Sequence, residues 1–364
     1  MKKRNGIIGI SKFVFAILIL FSHSGDVRDG GIKHSFCRCG AIGVDFFFLV
    51  SGYLLAKKVA GENRRGDATP LYKSTWRFLF GKIRVFYPYL LVSYVLLLIL
   101  HLYAGKWGAF EYLDSMNDLF LIQSMCPDST RIIGASWYVS AMIMAMLFVY
   151  PMLKTFGKTF SFVIAPLMTI VWGGYVFHSV SSLRAWDNFC GILTTGLSKA
   201  VLEISLGCLV YEWSEYIRRI RFTSFARILL GIVQTAFFCF VIFMNAAFDW
   251  VRRLDWMFII LLASGIAIAF SDQIPWTRWA DNKLFAYLER LSTPIYLNNF
   301  VGITLVNDVQ WFQRFSWRER CVVMCGIVFL LSVAELWGIE RLRKLDYSRL
   351  KRLFIAAESE KERA

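Results

Sequence analysis

The sequence predicts an all-α fold, a polytopic transmembrane helical bundle with both termini on the cytoplasmic side. Its 364 residues are 57% hydrophobic and 18% charged, whereas soluble domains average about 45–50% apolar and about 25% charged residues. Apolar runs of about 20 residues recur along the chain, and a helix of this length crosses a bilayer. Lys and Arg collect in alternate loops, which is typical of a membrane protein with a fixed orientation.

The apolar runs predict about ten spans. They lie at residues 6–24, 40–57, 85–104, 136–153, 160–178, 196–213, 226–246, 256–271, 290–307 and 321–339. The ninth run is interrupted by Ser292, Pro294 and the pair Asn298-Asn299. Polar and helix-breaking residues are tolerated at membrane depth where they are buried in protein or line a cavity.

The distribution of charge sets the orientation. A cytoplasmic N-terminus places most of the 41 Lys and Arg residues on the cytoplasmic side and the acidic loop 105–135 outside. The net charge of +15 therefore follows from membrane topology, and no basic-aromatic motif indicates nucleic-acid binding. We expect a membrane domain over residues 1–340 and a basic cytoplasmic tail over 341–364.

Two neighbouring spans carry ionisable residues near their outer ends. Asp45 lies in the apolar stretch GAIGVDFFFLVSGYLLA, and His23 ends the first span. A carboxylate at membrane depth is unfavourable by about 2.5–3.5 kcal/mol on insertion scales, so it usually has a partner or a function. We predict that Asp45 orients His23 as a general base for a hydroxyl group. The alternative is that His23 only caps a helix at the interface.

Three cations are further candidates for a functional site. Lys12 precedes His23 by eleven residues, about three helical turns, which places both on one helix face; alternatively, Lys12 extends to the interface. Lys82 and Arg84 lie in GKIRVFYPY. They either mark the cytoplasmic end of the third span or bind the phosphates of a donor.

Further polar and aromatic residues are candidates for lining a substrate cavity. Ser51 is expected to allow close helix packing, since the chain lacks the elbow that a serine nucleophile needs. Trp137 and Tyr138 either belong to an interfacial aromatic belt or stack on a sugar ring. The remaining candidates interrupt the ninth span: Ser292, Tyr296 and Asn299.

Metal binding is not expected, because the four histidines have neither i,i+4 partners nor a nearby set of thiols. The chain also lacks a Walker loop, a dinucleotide fingerprint and a haem signature. Cys37, Cys39, Cys126 and Cys190 are candidates for a disulfide if they share an oxidising exterior.

Five stretches of the chain resemble the integral-membrane acyltransferase-3 family, whose members acylate bacterial cell-surface sugars. They are the first span ending at His23, GAIGVDFFFLVSGYLL, GKIRVFYPY, SWYVSAMIMAMLFVYPML and RLSTPIYLNNF. The resemblance implies an acyl-CoA donor, commonly acetyl-CoA, from the cytoplasm and no permanently bound cofactor. It implies a polysaccharide or lipid-linked sugar acceptor at the other face of a bacterial inner membrane. His23 matches the family's essential base, Asp45 its acidic position, and Lys12, Lys82 and Arg84 its donor site.

The chain departs from the family pattern at four places. Lys12 replaces an arginine, Met142 a glutamate and Asn299 a histidine, and the pair Lys82-x-Arg84 differs from the usual R-x-x-R spacing. Lysine keeps the charge of arginine but loses its bidentate geometry. Two alternatives to an enzyme therefore stay open: a proton-coupled transporter or flippase of sugar-linked substrates, and a non-catalytic relative.

Overall fold

The computed structural model describes residues 4–30, 34–105, 107–126, 128–183, 185–248 and 254–344. Long helices form nearly all of this part of the chain. They are α1 (Gly6–Ser22), α2 (Ile42–Arg64), α3 (Leu71–Ala104), α4 (Ser136–Phe156), α5 (Ala165–Val180), α6 (Thr195–Arg219), α7 (Ser224–Ala247), α8 (Asp255–Phe270), α9 (Lys283–Asp308) and α10 (Trp317–Lys344).

Short elements join the long helices. Two are α-helical, Ala109–Asp114 and Thr277–Ala280, and a π-helical turn at Phe160–Ile164 leads into α5. The 3₁₀ turns are His23–Asp26, Ser115–Asp118, Gln123–Met125 and Gln310–Arg314. Strands β1 (Phe189–Cys190) and β2 (Leu193–Thr194) form an antiparallel hairpin in which Phe189 faces Thr194. The predicted tail beyond residue 344 lies outside the described residues.

Every predicted span coincides with a long helix, but the third begins much earlier than predicted. α3 is 34 residues long and begins at Leu71. Pro70 precedes its first turn, a position where proline's missing N–H is not needed. The basic stretch around Lys82 and Arg84 is therefore helical, where a loop was expected.

Six of the described helices are long and apolar enough to cross a membrane. These are the helices over Gly6–Asp26, Leu71–Ala104, Ser136–Phe156, Phe160–Val180, Ser224–Ala247 and Trp317–Arg343, with Asp255–Phe270 as a shorter apolar helix. Of the long helices, α2, α6 and α9 are more polar. They carry Asp45, Lys199, Glu203 and Glu289, and α6 is buried along most of its length. The protein is thus an all-α membrane protein, while the number of crossings and the sides of its termini stay predictions.

The two helices α2 and α6 pack with their backbones almost in contact. A methyl group on Gly52 would collide with the carbonyl oxygen of Ile204, and one on Gly207 would collide with that of Leu49. The close helix approach predicted at Ser51 is found at the next residue, Gly52, while Ser51 itself lines a cavity. This packing fixes how deep Asp45 lies relative to the charged residues of α6.

Candidate functional site

A cavity of about 310 Å³ opens into the bundle between α1, α2, α3, α4, α9 and α10. Each of these helices contributes side chains to its wall. The lining residues are Lys12, Phe47, Val50, Ser51, Leu54, Lys82, Val85, Phe86, Tyr89, Tyr138, Val139, Glu289, Arg290, Ser292, Thr293, Tyr296, Leu297, Leu336, Glu340 and Arg343.

One end of the cavity carries its charged residues, and we call it the basic end. Four cations lie there, against the two carboxylates of Glu289 and Glu340. The cations are Lys12, Lys82, Arg290 and Arg343. Lys12 Nζ lies 2.8 Å from Glu289 Oε1, and Arg290 Nη1 lies 2.6 Å from Glu340 Oε1. Because four cations face two anions, the basic end keeps an excess of positive charge. Such an end suits a phosphorylated ligand.

The opposite end of the cavity is aromatic. The rings of Phe47, Tyr138 and Tyr296 lie together there, with centroids 5.5 Å apart for the two tyrosines and 6.1 and 6.4 Å from Phe47 to each of them. We call these three side chains the aromatic cluster. The Tyr138 and Ser51 hydroxyls both donate to Met142 Sδ, at 3.6 and 3.5 Å. The thioether of Met142 is therefore the shared acceptor behind this wall.

His23 lies just beyond the aromatic cluster, where α1 ends. Its ring packs edge-on against Phe300, with centroids 5.1 Å apart. Phe300 follows Tyr296 by four residues on α9, a rise of about 6 Å. Phe300 thus connects the two places: it contacts the imidazole, and it follows Tyr296 of the aromatic cluster by one turn of α9. The His23 side chain is 27% exposed, so it is accessible from outside the bundle.

The carboxylate that contacts His23 is Asp26. Asp26 Oδ2 lies 2.6 Å from His23 Nδ1, because the 3₁₀ turn His23–Asp26 places residues i and i+3 side by side. A carboxylate at this nitrogen holds the proton on Nδ1, so that Nε2 is free to accept a proton. This is the tautomer that a general base for a hydroxyl group requires.

Asp45, which was predicted to orient His23, has a different partner. Asp45 is buried and forms an ion pair with Lys199 of α6, and Lys199 Nζ lies 4.0 Å from Glu203 Oε1. All three side chains are almost inaccessible. The close packing of α2 on α6 brings Asp45 to the charged residues of α6. The spacing of Lys199 and Glu203, i and i+4 within one predicted span, was the signal for this cluster.

The other predicted site residues divide into two groups. Lys12, Ser51, Lys82, Tyr138, Ser292 and Tyr296 line the cavity. Arg84, Trp137 and Asn299 do not, within the described chain: Arg84 is exposed on α3, and Trp137 stacks on Trp186 with centroids 5.2 Å apart. Asn299 is fully buried, and neither of its amide atoms has a hydrogen-bond partner among the described residues. Their proposed roles stay predictions.

A tight turn before α4 covers the aromatic end. Its conformation is held by Asp118, which lies outside the membrane-spanning helices and is fully buried. The Asp118 carboxylate accepts hydrogen bonds from Ile132 N at 3.0 Å, Ile133 N at 2.8 Å and Ser136 Oγ at 2.6 Å. Burial raises the pKa of Asp118 from 3.8 to about 6, although these hydrogen bonds favour the charged form.

This raised pKa predicts a pH dependence of stability. The folded state holds the Asp118 proton more tightly than the unfolded state, so the free energy of unfolding should fall by up to about 3 kcal/mol as pH rises from about 4 to about 6. We expect Asp118→Asn to remove this part of the dependence. Thermal unfolding of the detergent-solubilised protein across this window tests it, with Asp114→Asn as the matched control. If the unfolding temperatures of wild type and Asp118→Asn changed in parallel with pH, the raised pKa of Asp118 would be contradicted.

No metal site is found: among the residues in the described ranges, no three His, Cys, Asp or Glu side chains are grouped to hold an ion. All eight cysteines are free thiols, including Cys37, Cys39, Cys126 and Cys190.

Comparison with known proteins agrees with this architecture. The family model described as an acyltransferase domain, that of the acyltransferase-3 family, matches residues 6–335. The match extends from the start of α1 into α10, so it includes all of α1, α2, α3, α4 and α9 and most of α10. No curated protein and no solved structure matches the chain. The chain belongs to the acyltransferase-3 family and is a membrane acyltransferase.

Proposed function

We propose that the protein moves an acyl group, in the simplest case acetyl, from acyl-CoA to a hydroxyl group of a cell-surface or exported polysaccharide. One observation carries the proposal. A cavity has a positively charged end and an aromatic end, and one turn of α9 beyond the aromatic end Phe300 contacts an imidazole whose Nδ1 faces a carboxylate. The cavity suits a donor with phosphates and an acyl arm, and the imidazole suits the activation of a hydroxyl group.

The donor occupies the cavity with its acyl end toward the aromatic cluster. A cavity of about 310 Å³ is at the small end of the range for drug-sized ligands. It accommodates the acyl-pantetheine arm and leaves the nucleotide outside. Arg290 and Arg343 lie at the basic end, where a guanidinium group binds phosphate oxygens well. Lys12 and Lys82 add positive charge along the path of the arm.

The transfer step needs one base. His23 Nε2 takes the proton of the acceptor hydroxyl while its oxygen attacks the thioester carbonyl carbon. The carbon–oxygen bond forms, the carbon–sulfur bond breaks with its electron pair on sulfur, and the thiolate takes the proton from the His23 imidazolium, which returns the base to its neutral form. Asp26 stabilises the imidazolium formed on His23. A positioned base of this kind contributes about 10²–10⁴ in rate.

The proposed topology has about ten crossings with both termini in the cytoplasm. α1 and α9 begin at the basic end, so this orientation turns Lys82 and Arg343 toward the cytoplasmic acyl-CoA. His23 then faces the exterior of a bacterial inner membrane, where a polysaccharide or lipid-linked sugar is presented. The donor is a substrate, and the proposed reaction has no resident cofactor and no nucleic-acid partner.

The proposed function is tested by mass spectrometry of surface glycans from cells with and without the gene. We expect a mass difference of one acyl group per modified sugar, and label from radiolabelled acetyl-CoA in the polysaccharide. Glycans of identical mass would contradict the proposal. Uptake of a labelled sugar without any acyl transfer would instead indicate the transporter.

Replacing Lys82 should weaken donor binding. Lys82→Gln keeps a long polar side chain but removes a charge from the cavity wall, so KM for acetyl-CoA should rise about tenfold, as for loss of about 1.4 kcal/mol of binding. We expect kcat to change less, since the chemistry is at His23. Steady-state kinetics measure both. Lys73→Gln is the control, because Lys73 is exposed on the same helix and should leave KM unchanged; equal effects of the two substitutions would contradict the assignment.

A further inference from the structure

We propose that Phe47, Tyr138 and Tyr296 seal the donor cavity from His23, and that this seal makes the acceptor hydroxyl, and not water, the nucleophile. The proposal rests on the donor site proposed above. It assigns the aromatic cluster a role in specificity. The seal stays closed until the acceptor is in place, when the thioester and the imidazole must meet.

The position of the cluster carries the first part of the argument. Tyr296 and Leu297 are the lining residues farthest along α9 toward His23, and Tyr138 lies only two residues into α4. Phe300, one turn beyond Tyr296, contacts His23. The three rings therefore stand between the cavity and the imidazole. Both tyrosines are almost fully buried, at 5% and 6% exposure.

A single hydrogen bond ties the cluster to the turn outside it. The Tyr296 hydroxyl donates to the Ala135 carbonyl oxygen at 3.0 Å. The neighbouring Gly134 lies so close to Phe300 that a methyl group there would collide with the ring. Asp118 holds the same turn through Ile133 N and Ser136 Oγ. A movement of the turn would therefore change the hydrogen bond of Tyr296 and the packing of Phe300 at the same time.

The chemistry gives a reason for a seal. A thioester next to a general base is open to hydrolysis, in which water oxygen bonds to the acyl carbon, the carbon–sulfur bond breaks, and a carboxylic acid and a thiol leave. His23 is partly exposed, so water reaches the imidazole from its own end of the bundle. Closed active sites suppress such side reactions by excluding water. Aromatic rings fit this role because they fill a gap completely without supplying a base.

The first test measures release of CoA thiol from acetyl-CoA without an acceptor, using the full-length protein in detergent. We expect Tyr296→Ala and Phe47→Ala to raise this hydrolysis at least tenfold over wild type. Tyr296→Phe, which removes only the bond to Ala135, should raise it a few-fold and guards against a folding defect in the alanine variants. Tyr103→Ala, at an exposed position of α3, is the control. The hydrolysis gained by Tyr296→Ala should disappear when His23→Ala is added.

The second test does not depend on the donor. Ser51→Cys places a thiol in the cavity, and a membrane-impermeant maleimide is added to either side of sealed vesicles, with the labelled peptide located by mass spectrometry. We expect labelling from the basic end only, and from both ends once Tyr296→Ala is added. The seal would be overturned if Tyr296→Ala and Phe47→Ala left the hydrolysis rate unchanged and if Ser51→Cys alone were labelled from both sides of the vesicle. Absence of acetyl transfer by wild type with sided labelling intact would instead overturn the proposed function.

Discussion

Replacing His23 by alanine should lower acyl transfer by about 10²–10⁴, the contribution of a positioned general base. The imidazole has a carboxylate partner in Asp26, is 27% exposed, and contacts Phe300, one turn of α9 beyond Tyr296 of the aromatic cluster. Its loss removes the acceptor for the hydroxyl proton and leaves the cavity unchanged. Initial rates of label transfer from acetyl-CoA measure the effect, with gel filtration to show that the variant is folded.

Two comparisons make the His23 result specific. His178→Ala removes an exposed imidazole from α5, and its rate should stay within about twofold of wild type, as for an ordinary surface substitution. Asp26→Asn keeps the shape of the positioning residue but removes its charge, so kcat should fall by less than in His23→Ala, while KM for acetyl-CoA stays unchanged because Asp26 does not line the cavity. A His23→Ala variant with more than a tenth of the wild-type rate would contradict the general-base role.

Replacing Lys199 by methionine should destabilise the protein by about 3–5 kcal/mol, the usual effect of removing one partner from a buried ion pair. Lys199 lies between two carboxylates, in an ion pair with Asp45 and 4.0 Å from Glu203. All three are buried where α2 and α6 meet. Without the cation, the buried Asp45 carboxylate loses its ion-pair partner in a medium that does not solvate it. Thermal unfolding in detergent measures the loss.

The double variant Asp45→Asn with Lys199→Met tests whether the loss of stability comes from the Asp45–Lys199 pair. Removing both charges should recover more than half of the stability lost by Lys199→Met, because a neutral pair is tolerated better than a broken one. Lys283→Met, at an exposed position of α9, should stay within about 0.5 kcal/mol of wild type. A double variant as unstable as Lys199→Met would show that the Asp45–Lys199 pair is not the source of the effect.

Periodicity and hydropathy predicted the helices well because a membrane span is a local property of about 20 residues. The beginning of α3 escaped prediction because polar residues from Leu71 onward resemble a loop until the apolar run begins. A helix that extends beyond the bilayer has no hydropathy signal for its first turns. Lys82 and Arg84 are thus presented on a helix, where their directions differ: Lys82 reaches the cavity and Arg84 does not.

The contacts of the site could be predicted only where the two residues are close together in the sequence. His23 and Asp26 are three residues apart, so their contact was readable in FSHSGD, yet Asp45 was chosen because its position in an apolar stretch demanded an explanation. That explanation is Lys199, which comes from a helix more than 150 residues later. Pairing between distant helices depends on packing, here on Gly52 against Gly207, and spacing alone does not reveal it.

The same reasoning explains the basic end of the cavity. Arg290 and Arg343 belong to helices α9 and α10, and in sequence they resemble ordinary cytoplasmic flanking charges. Only the fold brings them beside Lys12 and Lys82. Conversely, Trp137 was a reasonable candidate for a sugar platform, but it is covered by Trp186 from the loop before α6. The sequence does not show which aromatic residues at a helix end are covered by a neighbouring side chain.

The most direct test of the account is sided acyl transfer by the purified protein in sealed vesicles. Radiolabelled acetyl-CoA is supplied on one side and a polysaccharide acceptor on the other, and label in the polysaccharide is counted. The account predicts transfer when the donor is on the side of Lys82 and Arg343 and the acceptor is on the side of His23, with no transfer in the reverse arrangement. Label that appears only when donor and acceptor share the His23 side would contradict it.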